Sequence, residues 1–448
     1  MATHIKDMTQ GKPASLIVSF ALPLMFGNVF QQLYTVVDTM VVGKALGVNA
    51  LAAVGAADWL NWLMLGVIQG LTQGFAIIMA QRFGAKEEEK LRQTVGLSSV
   101  LSVASALLLV LIGQLSIGPV LNLLHTPEAI QAESALYLRI LFTGVPIVMA
   151  YNLLACILRS LGDGKTPLSA MMIASVINIG LDLLFVLTFR WGIAGAAVAT
   201  LLAQVFASLF CLNRIRKIKM LAMQKHHFRW EGRRAWKLLK LGFPMAFQNG
   251  IISVGGMIVQ SVVNGFGVLF IAGFTATNKL YGILEIAATS YGYAMITYVG
   301  QNLGAGKIDR IRKGQRSAIW IALLTSVLIA LIMLLFGKTI LSAFISGTPE
   351  EMTETLRIAY YYLAVMSVFL PVLYVLHVTR ASIQGMGNTV LPMASGIAEF
   401  MMRTGAALLL PLLVGDVGIF FAEILAWTGA DCILIPSYFL TIRRFQSK

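Results

Sequence analysis

Residues 23–43, PLMFGNVFQQLYTVVDTMVVG, form an apolar stretch long enough to cross a bilayer. A related stretch returns at residues 244–264, PMAFQNGIISVGGMIVQSVVN. A shift of 221 positions places Pro23 on Pro244, Asn28 on Asn249 and Val41-Val42 on Val262-Val263. The repeat continues, with Gln81, Gly84 and Ala85 on Gln301, Gly304 and Ala305. GDGKT at 162–166 falls on GMGNT at 385–389, and Gly195 and Ala199 fall on Gly418 and Ala422. Such a chain must fold as two copies of one membrane unit. Only the first copy carries an acid, Asp38, deep in this span. A charge in hydrocarbon costs several kcal/mol, so the asymmetry marks a candidate functional site.

Composition places the whole chain in the bilayer. Its 448 residues are 12% charged with a mean hydropathy of +0.80, about half the charge of a soluble domain. Twelve spans are predicted, beginning near Ala14, Ala50, Arg92, Ser134, Lys165 and Gly192, then near Trp236, Ile271, Gln315, Leu356, Val390 and Gly415. The chain is therefore read as an all-α integral membrane protein of twelve transmembrane helices in two pseudo-symmetric six-helix lobes. The amino lobe covers 1–212, a linker 213–240 and the carboxy lobe 241–448. Six spans per lobe make the repeats parallel, as in many transporters that bind cargo between or within their halves.

The net charge of +14 could suggest nucleic acid, but its distribution argues otherwise. Of 34 Lys and Arg, 27 fall in the termini and even-numbered connections and four in the odd ones. This bias places both termini and the linker in the cytoplasm of a cell whose membrane the chain spans many times. The linker is expected as either an interfacial helix on anionic lipid, anchored by Trp230 and Trp236, or a solvated connection. The polar start, 1–12, leads directly into the first span and does not resemble a cleavable signal peptide. Cys156, Cys211 and Cys432 lie in apolar runs and suggest neither a disulfide framework nor a metal site.

Three spans can bring chemistry together in the amino lobe. Asn178 and Asp182 share one helical face at a spacing of four, as do Ala196 and Thr200 on the next span. If these faces meet Asp38, the lobe holds two carboxylates, an amide oxygen and a hydroxyl. An all-oxygen set suits a hard monovalent cation or a shared proton. Two carboxylates in such a cavity do not readily both stay ionised. The alternative is a pair of hydrogen-bonded acids that merely bridge helices. In the carboxy lobe, Glu399 and Arg403 have the spacing of a helical ion pair. Lys279 and Glu285 point to different faces of the eighth span, so Glu285 and Glu423 are further candidates for substrate or proton contact. Asp58, Arg139 and Asp431 are expected near span ends or locally paired, and His377 as a packed interior residue. GKT at 164–166 lacks the upstream glycine of a phosphate loop, where Arg159 stands, and the histidines form no HExxH motif. An enzyme is not expected.

The run from Pro23 through Asp38 to Gly43 and GVNALAAVGAA resembles the opening of the multidrug and toxic compound extrusion transporters. QRFGAKEEEK, LRSLGDGKTP, NKLYGILEI and TYVGQNLGAGK extend the resemblance over nearly the whole chain. It implies two lobes around a V-shaped central cavity and alternating access. It also implies export of small amphipathic, often cationic drugs, driven by H⁺ or by Na⁺, with no cofactor besides that ion. The family's amino-lobe cation site then falls on Asp38, Asn178, Asp182, Ala196 (through its carbonyl) and Thr200. Asp38, Asn178, Asp182 and Thr200 would be metal ligands if Na⁺ is the ion. Pro23 matches the family's hinge, and Gln31, Tyr34, Asn152 and Met171 match positions lining its pocket. The seventh span has Gln248, Ser253 and Gln260 where NorM-like members have an acid, so the pattern is similar to the DinF-like branch, which favours H⁺. A lipid-linked oligosaccharide flippase of the same superfamily is the alternative. A monomer in a prokaryotic cytoplasmic membrane is expected, with no nucleic-acid partner.

Overall fold

The structure, a computed structural model, describes residues 4–124, 126–343, 345 and 348–446; the side chains of Leu33, Tyr34, Val36, Thr39, Val48 and Gln446 are outside that description. Regular structure among the described residues is helical: α1 (Pro13–Leu46), α2 (Val48–Gly84), α3 (Glu88–Leu123), α4 (Glu128–Thr143), α5 (Val145–Ser160), α6 (Lys165–Asp182), α7 (Ile193–Arg216), α8 (Gly232–Val263), α9 (Val268–Gly304), α10 (Ile308–Ser342), α11 (Pro349–Gly385), α12 (Val390–Val414) and α13 (Ala422–Gln446). Ten stretches among the described residues are long and apolar enough to cross a membrane, and α4 with α5, bent by 48°, makes an eleventh. The twelfth is α9, whose 37 residues suffice in length and whose Asn278, Lys279 and Glu285 lower its apolarity. Twelve spans thus match the sequence reading. The fourth is broken because Pro146 has no N–H to offer Phe142.

The repeat is written in the backbone. Left-handed residues recur at Gly47 and Gly267, at Lys86 and Gly306, and at Gly192 and Gly415. The first two pairs keep a shift of 220 and the third one of 223. Only glycine adopts this conformation without strain, so Lys86 holds the less comfortable copy. Helix starts are also fixed locally. Asp163 Oδ1 accepts from the backbone N–H of Thr166 at 2.9 Å and so caps α6. Thr348 and Glu351 form a reciprocal capping box on α11.

The chain divides into two compact units, one of residues 1–8 and 22–246, the other of 9–21 and 247–448. Unit 1 packs Phe75, Met79, Leu138, Phe142 and Leu158 into its core. Its helices approach closely where glycines line α2. A Cβ at Gly70 would lie 2.4 Å from Ala246 Cα, and one at Gly74 would lie 2.3 Å from Gly242 Cα on α8. This is the small-residue packing that lets membrane helices touch backbone to backbone. Gly74→Val should therefore push α2 from α8 and cost about 1–3 kcal/mol or more; a thermal melt in detergent that matches the parent would contradict this contact. Unit 2 is built around an aromatic stack in which Phe274 lies on Tyr362 (4.7 Å between centroids) and Tyr362 on Phe420 (4.8 Å).

The linker is largely exposed, as expected of a solvated connection, with two docked turns rather than one interfacial helix. Two short 3-10 turns, Lys219–Leu221 and Lys225–Phe228, dock on α3 before α8 begins at Gly232. Arg92 Nε donates to the Met220 carbonyl at 2.9 Å, and His227 is buried against Gly96. Trp230 and Trp236 remain exposed.

Candidate ion-coupling site

The amino-unit acids meet. Asn178 (1% exposed) and Asp182 (0%) lie one turn apart on the inward face of α6. Asp182 ends the regular α-helix, which continues as a wider π-helical turn over Leu183–Thr188. Such turns are frequent at functional sites. Half-buried Asp38 comes across from α1, which is brought close to α6 where Gly27 faces Leu168. Its carboxyl faces that of Asp182 closely enough for the two to interact electrostatically. Two bare carboxylates repel and cannot bond to each other; a single proton between them converts the clash into a hydrogen bond.

The surroundings leave this pair unsatisfied. Both Asp182 oxygens, both polar atoms of the Asn178 amide and Asp38 Oδ1 are buried without a hydrogen-bond partner. Native interiors rarely leave so many polar atoms of one cluster unpaired, so the cluster is chemically suited to a proton or a small cation. Ala196 is buried near the start of α7, and Thr200 is half-buried one turn on. Thr200 donates to neither oxygen of Asp182. Asp58, on α2, lies on an exposed face within electrostatic range of Asp38 rather than being paired at a span end.

The residues carried over as pocket-lining are dispersed in character. Gln31 is half-buried on α1. The Tyr34 side chain lies outside the described residues. Asn152 donates its amide to the Val148 carbonyl at 2.9 Å, within its own helix. Met171 is half-buried and packs against the unit 1 core. Pro23 stands inside an unbroken α1 and offers no N–H to the turn before it.

Unit 2 holds a buried ionic cluster only partly legible in the sequence. Glu399 on α12 accepts from Arg403 at 3.0 Å, the pair expected from their spacing. It is also held by Arg380 on α11 at 2.7 Å. Arg403 reaches on to Glu423 of α13 at 2.7 Å. Arg380, one of the 27 basic residues that the sequence places in the termini and even-numbered connections, is instead buried in α11 and paired. In the amide orientation that satisfies both partners, the Gln248 oxygen accepts from Arg380 Nε at 2.9 Å. A neutral amide thus serves the arginine where an acid would have added a further charge. Two other expectations change. His377 is not merely packed, because its Nε2 lies 3.3 Å from Glu285 Oε1. Asp431 is buried well within α13, with Oδ1 unpartnered, rather than at a span end or locally paired. The signal for His377 and Arg380 was their spacing of three, which puts both on one face of α11.

A third cluster brings two of the histidines, which form no HExxH motif, onto an acid of another element. Glu89 at the start of α3 meets His226 (3.2 Å) and His227 (3.1 Å) of the linker. These side chains do not suit a metal. His227 Nδ1 accepts the Gln224 backbone N–H at 2.8 Å, so its neutral ring carries the proton on Nε2 and donates it to Glu89. The hydrogen bonds, that of His226 foremost, hold the exposed Glu89 carboxyl below its usual range. The cluster is a clasp between linker and α3.

The chain has the fold of a crystal structure of MATE in the straight conformation, with a TM-score of 0.90 over 100% of both chains at 22% identity. It is 33% identical over 351 residues to a probable multidrug resistance protein, YpnP, of Bacillus subtilis, covering 76% of each chain. It is 25% identical over 389 residues to DNA damage-inducible protein F of Escherichia coli, covering 84% of this chain and 83% of that one. A FAD transporter of Shewanella oneidensis is 23% identical over 347 residues, covering 76% of each. The MatE profile matches twice, at residues 23–184 and 244–409, once in each half of the repeat. With its two matched halves, the chain belongs to the MatE family of multidrug and toxic compound extrusion transporters.

Proposed function

We propose that this protein exports small amphipathic, often cationic compounds by alternating access, driven by an inward flow of H⁺, with Na⁺ as the second possibility for the same site. The observation that carries the reading is the contact between the Asp38 and Asp182 carboxyls beside the unpaired Asn178 amide. A proton on the pair removes its negative charge, and loss of that proton restores an anion that attracts a cationic drug to the same unit. Ala196, Thr200 and Asn178 supply the remaining oxygens that a cation would use. Pro23 weakens α1 at one turn and provides a place for that helix to bend, altering the surroundings of Asp38. A ligand can shift two states only by its different affinity for them, so this change of surroundings is what couples ion to cargo. Gln31, Tyr34, Asn152 and Met171 are the proposed drug contacts in unit 1, and Glu285 that in unit 2.

Among the relatives compared, a multidrug name recurs and none is a flippase. FAD is anionic, and its export would not favour a carboxyl pair at the site, so the reading stays with cationic cargo. The distribution of basic residues supports both termini and residues 213–240 on the cytoplasmic side. The test is dye flux in proteoliposomes. A pH gradient should drive accumulation of a cationic dye against its own gradient, and a Na⁺ gradient at fixed pH should drive little. Transport by the Na⁺ gradient alone would reassign the ion, and failure of both gradients would overturn the coupling.

A further inference from the structure

We propose that unit 2 carries a proton-binding site of its own, formed by Glu285 of α9 and His377 of α11, independent of the acids in unit 1. It goes beyond the coupling site above, because it concerns different helices and a pair that contains an imidazole.

The inference rests on counting charge in a closed cluster. Glu399 lies between Arg380 and Arg403, and Arg403 also holds Glu423, at 2.7 to 3.0 Å. With Asp431, beside Arg380 and Glu399, counted as carrying its proton, two cations and two anions cancel. Glu285 is left over, and the group facing it is His377 at 3.3 Å. One proton on this pair leaves the cluster neutral, whether it rides on the imidazole opposite a carboxylate or on the carboxyl opposite a neutral ring. Without that proton the cluster carries an uncompensated negative charge inside the membrane; with a second it carries a positive one. Both are expensive where water is scarce. A single proton shared by Glu285 and His377 is therefore what balances the cluster.

Exposure puts the pair where exchange can occur. The side chains of Arg403, Glu399 and Arg380 are 5–9% exposed, whereas His377 and Glu285 are 19% and 33% exposed. The arginine-carboxylate core is shut in, and the pair forms its accessible edge. The titratable or charged groups around it are Tyr281 on α9, Tyr374 and Arg380 on α11, Glu399 and Arg403 on α12, and Glu423 and Asp431 on α13. Tyrosine and arginine keep their protons throughout the neutral range, and Glu399 and Glu423 are bound to arginine. Asp431 faces Arg380 and Glu399 and is the other acid free to hold a proton. Its variant must therefore be measured alongside.

Infrared difference spectra of the full-length protein in liposomes, with ring-labelled histidine, would read the pair directly as pH is stepped between acid and alkaline values. The parent should show an imidazole band and a carboxyl band that change together. Glu285→Gln and His377→Gln should each abolish this coupled signal, so that the site can be tested with whichever of the two folds. Asp38→Asn with Asp182→Asn, and Asp431→Asn, should both retain it. A parent that shows no coupled histidine and carboxyl change would overturn the proposal. So would a signal that survives in Glu285→Gln, or one lost with Asp431. Because no cargo or gradient is used, the result stands apart from whether unit 1 couples transport to H⁺.

Discussion

Asp182→Asn should abolish proton-driven accumulation of a cationic dye, with a fall in the driven rate of tenfold or more. The carboxamide keeps the size and shape of the buried side chain but can neither share a proton with Asp38 nor release one. Each 1.4 kcal/mol of lost preference between the two states is a factor of ten in coupling. A site whose charge no longer changes has no preference to offer. The folded protein should persist, because no backbone or side-chain N–H or O–H group donates to the oxygens of Asp182 and so none is stranded by the change. Downhill flux of dye, without accumulation, is the companion expectation. Asp38→Asn should behave likewise, since either residue alone is an acid without a partner to share its proton. If both variants pump dye against its gradient as the parent does, the paired carboxyls have no part in coupling.

Arg403→Met should be the most destabilising single change in unit 2, by about 3–5 kcal/mol, the usual cost of removing one partner from a buried ion pair. The guanidinium spans Glu399 and Glu423 and also donates to the Ile252 carbonyl at 3.2 Å. Its loss leaves Glu399 with Arg380 but strands Glu423 without a cation. Adding Glu423→Gln should therefore recover a large part of the loss, a strong positive coupling in a double-mutant cycle. Melting of the purified protein in detergent would measure all four species. An Arg403→Met melt close to that of the parent would mean that the cluster is not closed through this residue.

Apolar span length and its recurrence determined much of this protein. A hydrocarbon slab fixes how long a helix must be, and a repeat of the same positions fixes that the unit occurs twice. Asp38, Asn178 and Asp182 stood out for the same reason: a polar side chain in a span is costly unless it has a use. Spacing along one helix also revealed Glu399 with Arg403, since residues four apart share a face in any α-helix. Partners on different helices were another matter. Arg380 looked like a loop charge because its position near the end of a span is equally consistent with either side of the boundary. His377 looked like packing because nothing local pairs with it. The distance from Glu285 to His377, like that from Glu89 to the linker histidines, depends on how helices far apart in sequence are laid side by side. Periodicity is a property of one helix, whereas charge balance belongs to a cluster of several, and only the tertiary structure decided which charges share one.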